Sequence, residues 1–439
     1  MEGSRNRTIR RCGAIASFAL SAAVATAWAQ SEPVAPAGMP LGDMAHGLPA
    51  ELSYRLRDGF SWSNAYATDD RNVYYFMNWE EFVPHRTVWR AGPVSELART
   101  PNDDLGGVRA ESFLGELSLD EALGDPRSRI QGFVVVHGGK IVFERYPGMR
   151  DQDHHMWFSV SKTITSLLLG MLEAEGRIDV ERPIEEYLPE AAGTHWAGVR
   201  IIDIADMASG MDILEDEASR NDAANSVSQW FQIEIGDTTG LGTLTSDQIL
   251  LAVGKRGEPG QVFEYSSLNT RILGLLVEEV SGRRMPDLIS ERIWSKMGAE
   301  GDALVAVNLQ GRAGLYGLYS SRLRDMARYG MLYTPSWNTV AAEPVVPEGL
   351  LDKIRNGCRP AIYRRMVALR EAAPDPDGPR CNSRQWDAVF ADGDIYKAGA
   401  RGQGLYVSPS RDVVVAWFST SFEGEWRNYG RAVSKHLRR

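Results

Sequence analysis

Two strand–turn–strand patterns, far apart in the chain, constrain the fold most strongly. The first runs from Gln131 through a His-Gly-Gly-Lys turn to Phe143, and the second joins residues 404–407 to residues 413–418. Both place apolar, largely β-branched residues around a short polar turn, which is typical of antiparallel hairpins. The segments between them have helical spacing. This order predicts an α+β fold: one antiparallel sheet built from the N- and C-terminal strands, flanked by helices, with a mostly helical insertion at about residues 180–345.

Several helical patterns have recognisable ends. Helices are predicted at residues 201–207, 269–282, 323–332 and 425–437. Residues 212–250 are polar and lack periodicity, which predicts a long irregular excursion of the kind that often shapes a binding site. Residues 334–348 and 371–382 are rich in Pro, Asp and Gly and are predicted to be surface loops.

The first 29 residues have the pattern of a secretory signal peptide. Four arginines precede an apolar run over residues 12–24, and Ala-Trp-Ala before Gln30 fits a cleavage site. The run is too short to favour a membrane anchor. We therefore expect a periplasmic or secreted protein with no membrane contact after cleavage. Residues 30–110 then form an N-terminal extension, and residues 111–439 form the main domain.

The net charge argues against one class of partner, and the cysteines suggest a disulfide. The chain of 439 residues carries a formal net charge of −10, and cleavage would remove four arginines but only one glutamate. Such acidity argues against nucleic acid as a partner. Cys358 and Cys381 remain after cleavage and are able to pair in an oxidising compartment, with two free buried thiols as the alternative. A disulfide is favoured because it would close the Pro-rich loop between them.

A candidate nucleophile lies just after the first hairpin. Ser159 and Lys162 are three residues apart at the start of an apolar helical pattern, so both side chains project from one face. A serine hydroxyl needs a base, and a lysine whose pKa is depressed by burial or by another cation can be that base. The helix N-terminus would favour the negative charge that develops beside the serine. Taken alone, this tetrapeptide is a weak signal.

Further stretches accompany this pair along the chain. In order, they are FSVSK (158–162), YLPE (187–190), MASGM (207–211), YSS (265–267), LRDMARYG (323–330) and KAG (397–399). Together they resemble the serine β-lactamase and penicillin-binding-protein superfamily, in the class C-like branch that also contains family VIII carboxylesterases and 6-aminohexanoate-dimer hydrolases. The resemblance runs from Gln131 to the C-terminus and implies the β-lactamase/transpeptidase-like fold.

The resemblance also implies roles for individual residues. Ser159 would be the acylated nucleophile, Lys162 its base or the group that tunes it, and Tyr265 a partner in proton transfer. A tyrosine beside a lysine can act as a phenolate, since a neighbouring cation lowers the pKa of the phenol. Backbone N–H groups of Ser159 and Ala400 would form the oxyanion hole. The residues expected to border the substrate are Ser267, Lys397 and Gly399.

Two positions depart from the motifs of antibiotic-hydrolysing members. Ser267 stands where many members have Asn, and Ala398 stands where those members usually have Thr or Ser. Both departures favour a small ester or amide over a penicillin or cephalosporin, although Lys397 could still offer a cation to an anionic substrate. Tyr319 begins a second YSS tripeptide. Tyr265 is preferred because Pro-Gly and Phe precede it and an apolar helix follows.

Other catalytic designs fit less well. His154 and His155 precede the serine, but no Gly-x-Ser-x-Gly elbow is present, and such a pair is more typical of a solvated loop. Neither a His-Glu-x-x-His motif nor a paired-cysteine spacing predicts a metal, and no cofactor is expected.

The favoured function is an exported serine hydrolase that cleaves a small-molecule ester or amide through an acyl-enzyme. Within enzymes the alternative is a β-lactamase or a D-alanyl-D-alanine carboxypeptidase. A penicillin- or peptide-sensing module that acylates without turnover is the alternative from another class. The oligomeric state is not predicted.

Overall fold

The structure, a computed structural model, describes residues 46–61, 65, 71–369, 377–421 and 426–437. The predicted signal peptide lies outside these residues. The strands are β1 (His85–Val88), β2 (Arg109–Ser112), β3 (Gly115–Ser118), β4 (Ile130–His137), β5 (Lys140–Arg145), β6 (His155–Met156), β7 (Ala303–Ala306), β8 (Tyr319–Ser321), β9 (Cys381–Ser383), β10 (Trp386–Val389), β11 (Ile395–Gly399), β12 (Gln403–Ser408) and β13 (Val413–Ser419).

Helices occupy most of the intervening chain. The α-helices are Ala50–Asp58, Arg71–Met77, Leu119–Gly124, Lys162–Ala174, Ile201–Ala205, Glu217–Asn221, Ser226–Glu234, Ser246–Ala252, Ser267–Ser281, Met285–Ile289, Leu323–Met331, Leu350–Asn356, Pro360–Leu369 and Trp426–His436. Shorter 3₁₀ turns include Phe158–Ser161 and Ala400–Gly402. Among the described residues, no helix is both long enough and apolar enough to cross a membrane.

A seven-stranded antiparallel sheet forms the centre, in the order β5-β4-β13-β12-β11-β10-β9. Strand β4 pairs with β13, with Val135 opposite Val415, so the two hairpins are neighbours in one sheet. The predicted hairpins and the predicted α+β fold are therefore confirmed.

Successive side chains along a strand point to opposite faces of the sheet, and apolar side chains on each face pack into a separate core. Val134 faces the core that contains helix Leu323–Met331, whereas Val135 faces the core that contains helix Trp426–His436. Gly330 allows the first of these helices to approach closely, since a Cβ atom there would lie 2.7 Å from Val414 Cγ1.

The N-terminal extension packs on the rest of the chain through strand β1, which pairs with β7. These strands belong to a four-stranded sheet in the order β1-β7-β8-β6. Strand β6 leads directly into the turn that carries Ser159. Helix Arg71–Met77 of the extension is almost wholly buried, and the ring of Phe76 lies 4.6 Å from the ring of Phe158. The extension thus reaches the residue before the candidate nucleophile.

The prediction of an irregular excursion over residues 212–250 is wrong. This segment contains three helices: Glu217–Asn221, Ser226–Glu234 and Ser246–Ala252. Their N-terminal backbone N–H groups are capped by the side chains of Asp216, Asn225 and Thr245. Three of the polar residues in this segment are thus helix caps. Apolar residues three positions apart anchor the middle helix, namely Val227, Trp230 and Ile233.

The predicted loop over residues 371–382 also needs correction at its end, because Cys381 already begins the buried strand β9. Residues 370–376 lie outside the described part of the chain. Cys381 forms a disulfide with Cys358, with 6.1 Å between the Cα atoms. This bond ties the β9 edge of the central sheet to the segment that follows helix Leu350–Asn356.

Candidate active site

Ser159 lies in the 3₁₀ turn Phe158–Ser161, and the α-helix begins at Lys162. Phe158 has a φ of 46°, in the left-handed region, which costs a non-glycine residue on the order of 1 kcal/mol. The Ser161 hydroxyl stabilises this turn, lying 2.8 Å from the carbonyl oxygens of both Phe158 and Leu315. The constrained turn presents the partly exposed Ser159 side chain at the start of the buried helix.

Lys162 is fully buried, and its Nζ lies 3.0 Å from Ser159 Oγ and 3.1 Å from Ser267 Oγ. It also donates a hydrogen bond to the carbonyl oxygen of Tyr316. Burial lowers the pKa of Lys162 to about 7, with Glu215 opposing that shift. A neutral amine has two N–H donors and one lone pair. Tyr316 and Ser267 can take the donors, which leaves the lone pair for the Ser159 proton.

Tyr265 lies beside the same lysine. Lys162 Nζ is 5.1 Å from the centre of the Tyr265 ring, and Lys397 Nζ is 4.8 Å from it. Burial raises the pKa of Tyr265 well above its usual value, and Asp387 and Glu215 raise it further. A hydrogen bond between the side chains of Tyr265 and Ser159 lowers the pKa but does not offset these effects. Burial and the two carboxylates therefore disfavour the expected phenolate. The raised pKa favours a neutral phenol, which can donate a proton.

The side chain of Lys397 forms an ion pair with a carboxylate of the protein itself. Its buried Nζ lies 2.6 Å from Asp387 Oδ1, and Asp387 Oδ2 accepts a hydrogen bond from the backbone N–H of Ala398 at 3.0 Å. Burial lowers the pKa of Lys397, and Asp387 opposes that shift. The positive charge is thus matched by an internal carboxylate.

Strand β11 brings Gly399 against the turn that carries Ser159. A Cβ atom at Gly399 would lie 2.4 Å from the carbonyl oxygen of Trp157, a separation that no other residue type could tolerate. Ala400 follows in the 3₁₀ turn Ala400–Gly402. The glycine therefore permits the close approach that an oxyanion site shared by Ser159 and Ala400 would require.

The sequence did not single out Glu215, whose side chain is only 1% exposed. Its Oε2 accepts the backbone N–H of Ser267 at 2.7 Å, and its Oε1 pairs with the guanidinium of Arg220. No motif marked either residue. The one available signal was a cluster of charges inside the segment that was assigned to an irregular excursion.

Two other candidates occupy structural positions. The Tyr319 ring packs edge-on against Trp157 with centroids 5.1 Å apart, in strand β8. His155 is fully buried and stacks on Phe418 at 4.4 Å, and burial lowers its pKa to about 3. The interpretation of the histidine pair as a solvated loop is therefore wrong for His155, because strand β6 carries it into the core.

Comparisons with known proteins give a consistent result. Residues 125–437 match the beta-lactamase family. The chain is 28% identical to a 6-aminohexanoate-dimer hydrolase of Paenarthrobacter ureafaciens over 382 residues, which cover 84% of this chain and 89% of that protein.

Solved structures share the fold. A Bacillus anthracis protein with the provisional name 6-aminohexanoate-dimer hydrolase superposes with a TM-score of 0.69 at 22% identity, covering 84% of this chain and 93% of that one. A family VIII carboxylesterase superposes with a TM-score of 0.53 at 14% identity, covering 72% and 95%. Because the family match extends over most of its length, the chain belongs to the beta-lactamase family of serine hydrolases.

Proposed function

We propose that this protein is an exported hydrolase that cleaves a small linear amide or carboxylic ester through an acyl-enzyme on Ser159. The observation that carries the proposal is the position of Lys162 Nζ, 3.0 Å from Ser159 Oγ, with the pKa of the lysine lowered to about 7 by burial. A lysine in that state accepts a proton near neutral pH.

In acylation, Ser159 Oγ attacks the substrate carbonyl carbon while its proton moves to Lys162. The oxyanion accepts hydrogen bonds from the backbone N–H groups of Ser159 and Ala400. The C–N or C–O bond to the leaving group then breaks. Tyr265 gives that group a proton and is reprotonated by the Lys162 ammonium. In deacylation, water attacks the ester carbonyl, its proton passes to Lys162, and Ser159 leaves with a proton.

The substrate class follows from the charges around Ser159. Lys397 is matched by Asp387, and Ala398 offers no side-chain hydroxyl, so neither group favours a substrate carboxylate of the kind that penicillins carry. An acyl group without a charge near the scissile bond is therefore preferred. The similarity to a protein named 6-aminohexanoate-dimer hydrolase supports a linear amide among the substrates.

The test is intact-mass spectrometry of the protein without residues 1–29, after exposure to a fluorophosphonate. Hydrolysis of p-nitrophenyl butyrate and of the linear 6-aminohexanoate dimer is followed in parallel. We expect one adduct and turnover in the wild type, and neither in Ser159→Ala, with a rate loss of about 10³-fold or more. A variant that matches the wild type would exclude Ser159 as the nucleophile.

Penicillin separates the remaining alternatives. Rapid turnover of penicillin without turnover of the ester and the dimer would indicate a β-lactamase. A penicillin adduct that persists, together with no hydrolysis of any substrate, would indicate a sensor. Export is tested by the mass of the protein recovered from outside the cytoplasm, which should correspond to a chain beginning at Gln30.

A further inference from the structure

A buried ion pair lies behind the candidate catalytic lysine. Glu215 precedes helix Glu217–Asn221, and Arg220 belongs to that helix. Both side chains are largely buried, with exposed fractions of 1% for Glu215 and 12% for Arg220. The Arg220 guanidinium also lies 4.2 Å from the centre of the Phe231 ring, so it packs against helix Ser226–Glu234.

Ser267 connects this pair to Lys162. The backbone N–H of Ser267 donates to Glu215 Oε2 at 2.7 Å, and the hydroxyl of the same residue lies 3.1 Å from Lys162 Nζ. A displacement of the carboxylate would therefore move the hydroxyl that touches the lysine. Ser267 is also the first residue of helix Ser267–Ser281, so its backbone N–H has no partner within that helix and needs an acceptor such as Glu215.

Charged groups face Lys162 from several elements. Glu215 and Asp387 favour its ammonium form, whereas Lys397 and Arg220 disfavour it. Its remaining neighbours are the Ser159 and Ser267 hydroxyls, the Tyr316 carbonyl and the face of the Tyr265 ring. Glu215 exerts the strongest of the charge effects on the lysine.

We propose that Glu215 and Arg220 are positioning residues that hold the Ser267 hydroxyl against Lys162 and set the charge state of that lysine. This inference rests on the proposed role of Lys162 as the base. Neither residue touches the substrate. The carboxylate stabilises the ammonium that forms when Ser159 loses its proton, and the positive charge of the guanidinium limits that effect.

The two charges act on Lys162 in opposite directions, which provides the test. The acid limb of kcat/KM reports protonation of Lys162 in the free enzyme. Glu215→Gln keeps the shape and the acceptor for Ser267 but removes the negative charge, so the acid limb should move to lower pH by about 1 unit. Arg220→Gln removes the positive charge, so the limb should move to higher pH. The double variant should fall between the two.

The measurement is kcat/KM for p-nitrophenyl butyrate against pH, together with the rate of fluorophosphonate labelling of Ser159. Glu144→Gln is the matched control, since Glu144 is a carboxylate of strand β5 whose side chain is largely buried and pairs with Arg324 rather than with a neighbour of Lys162. Its acid limb should coincide with that of the wild type.

Acid limbs that stay in place, or that move in the same direction in both single variants, would overturn the inference while leaving the hydrolase proposal intact. Failure of the hydrolase proposal is distinguishable, because the wild type itself would then show no labelling and no turnover. Should Glu215→Gln not fold, Arg220→Gln and the double variant still decide the outcome through the direction of their shifts.

Discussion

The Lys397 ammonium lies 2.6 Å from Asp387 Oδ1, and the second oxygen of the same carboxylate accepts the backbone N–H of Ala398. Asp387 therefore neutralises the charge of Lys397 and also fixes the backbone of strand β11, which borders Ser159. The side chains are 0% and 9% exposed, so water contributes little to the stability of either charge.

Asp387→Asn should destabilise the fold, because it leaves the buried Lys397 without its counter-charge. We expect a loss of roughly 3–5 kcal/mol in the free energy of unfolding, measured by urea denaturation. The double variant Asp387→Leu/Lys397→Met replaces both charges by apolar groups and should regain most of that loss. An Asp387→Asn variant as stable as the wild type would show that the Asp387–Lys397 ion pair contributes little to the free energy of unfolding.

Substrate charge gives a second prediction. Since Lys397 is already paired, a carboxylate on the acyl group should bring no gain in binding. The KM of the mono-p-nitrophenyl ester of succinic acid should equal or exceed that of p-nitrophenyl butyrate, which has a similar chain length. A KM lower by about tenfold for the succinate ester, about 1.4 kcal/mol, would instead reveal a free cation in the site.

The pH profile of kcat/KM tests the proposed base. Burial lowers the pKa of Lys162 to about 7, so below that pH the lysine is protonated and cannot accept the Ser159 proton. Activity should fall about tenfold per pH unit below pH 7. No alkaline decline is expected before about pH 10, because the pKa of Tyr265 is raised. An acid limb between about pH 4 and 5 would point to a carboxylate base instead.

Tyr265→Phe should distinguish amides from activated esters. An amine leaving group needs a proton, whereas p-nitrophenolate leaves without one, so the loss of the phenol should slow amide hydrolysis by about 10²-fold. Hydrolysis of p-nitrophenyl butyrate should fall much less. The comparison uses initial rates on the 6-aminohexanoate dimer and the ester, with Tyr319→Phe as the matched control. Equal losses on both substrates would argue against proton donation by Tyr265.

The contact between Phe76 and Phe158 predicts a catalytic effect of the N-terminal extension. Phe76→Leu weakens the packing that holds Phe158 in its left-handed conformation, so kcat should fall about tenfold with KM unchanged. Phe82→Leu is the control, since Phe82 stacks on Phe60 at 4.3 Å within the extension. Both variants should lose stability, but only Phe76→Leu should lose kcat. Similar kcat values in the two variants would exclude this role.

Local patterns in the sequence were sufficient for the hairpins, for the helix after Ser266 and for the general class of fold. These elements depend on interactions between residues close in the chain: alternating apolar residues around a short turn, an N-cap at Ser266 and a left-handed glycine at Gly282. The same local logic failed over residues 212–250, where caps and short helices are hard to separate from loops by composition.

The charge states at the site were decided by the tertiary structure alone. The resemblance placed Tyr265 beside a lysine and so suggested a phenolate. Burial, together with two carboxylates from other parts of the chain, instead raises the pKa of Tyr265 and disfavours that state. Glu215 is 52 residues from Ser267 in the chain, and Asp387 is ten residues from Lys397 on a neighbouring strand. A pKa depends on burial and on charges within a few ångströms, and both quantities exist only once the chain has folded.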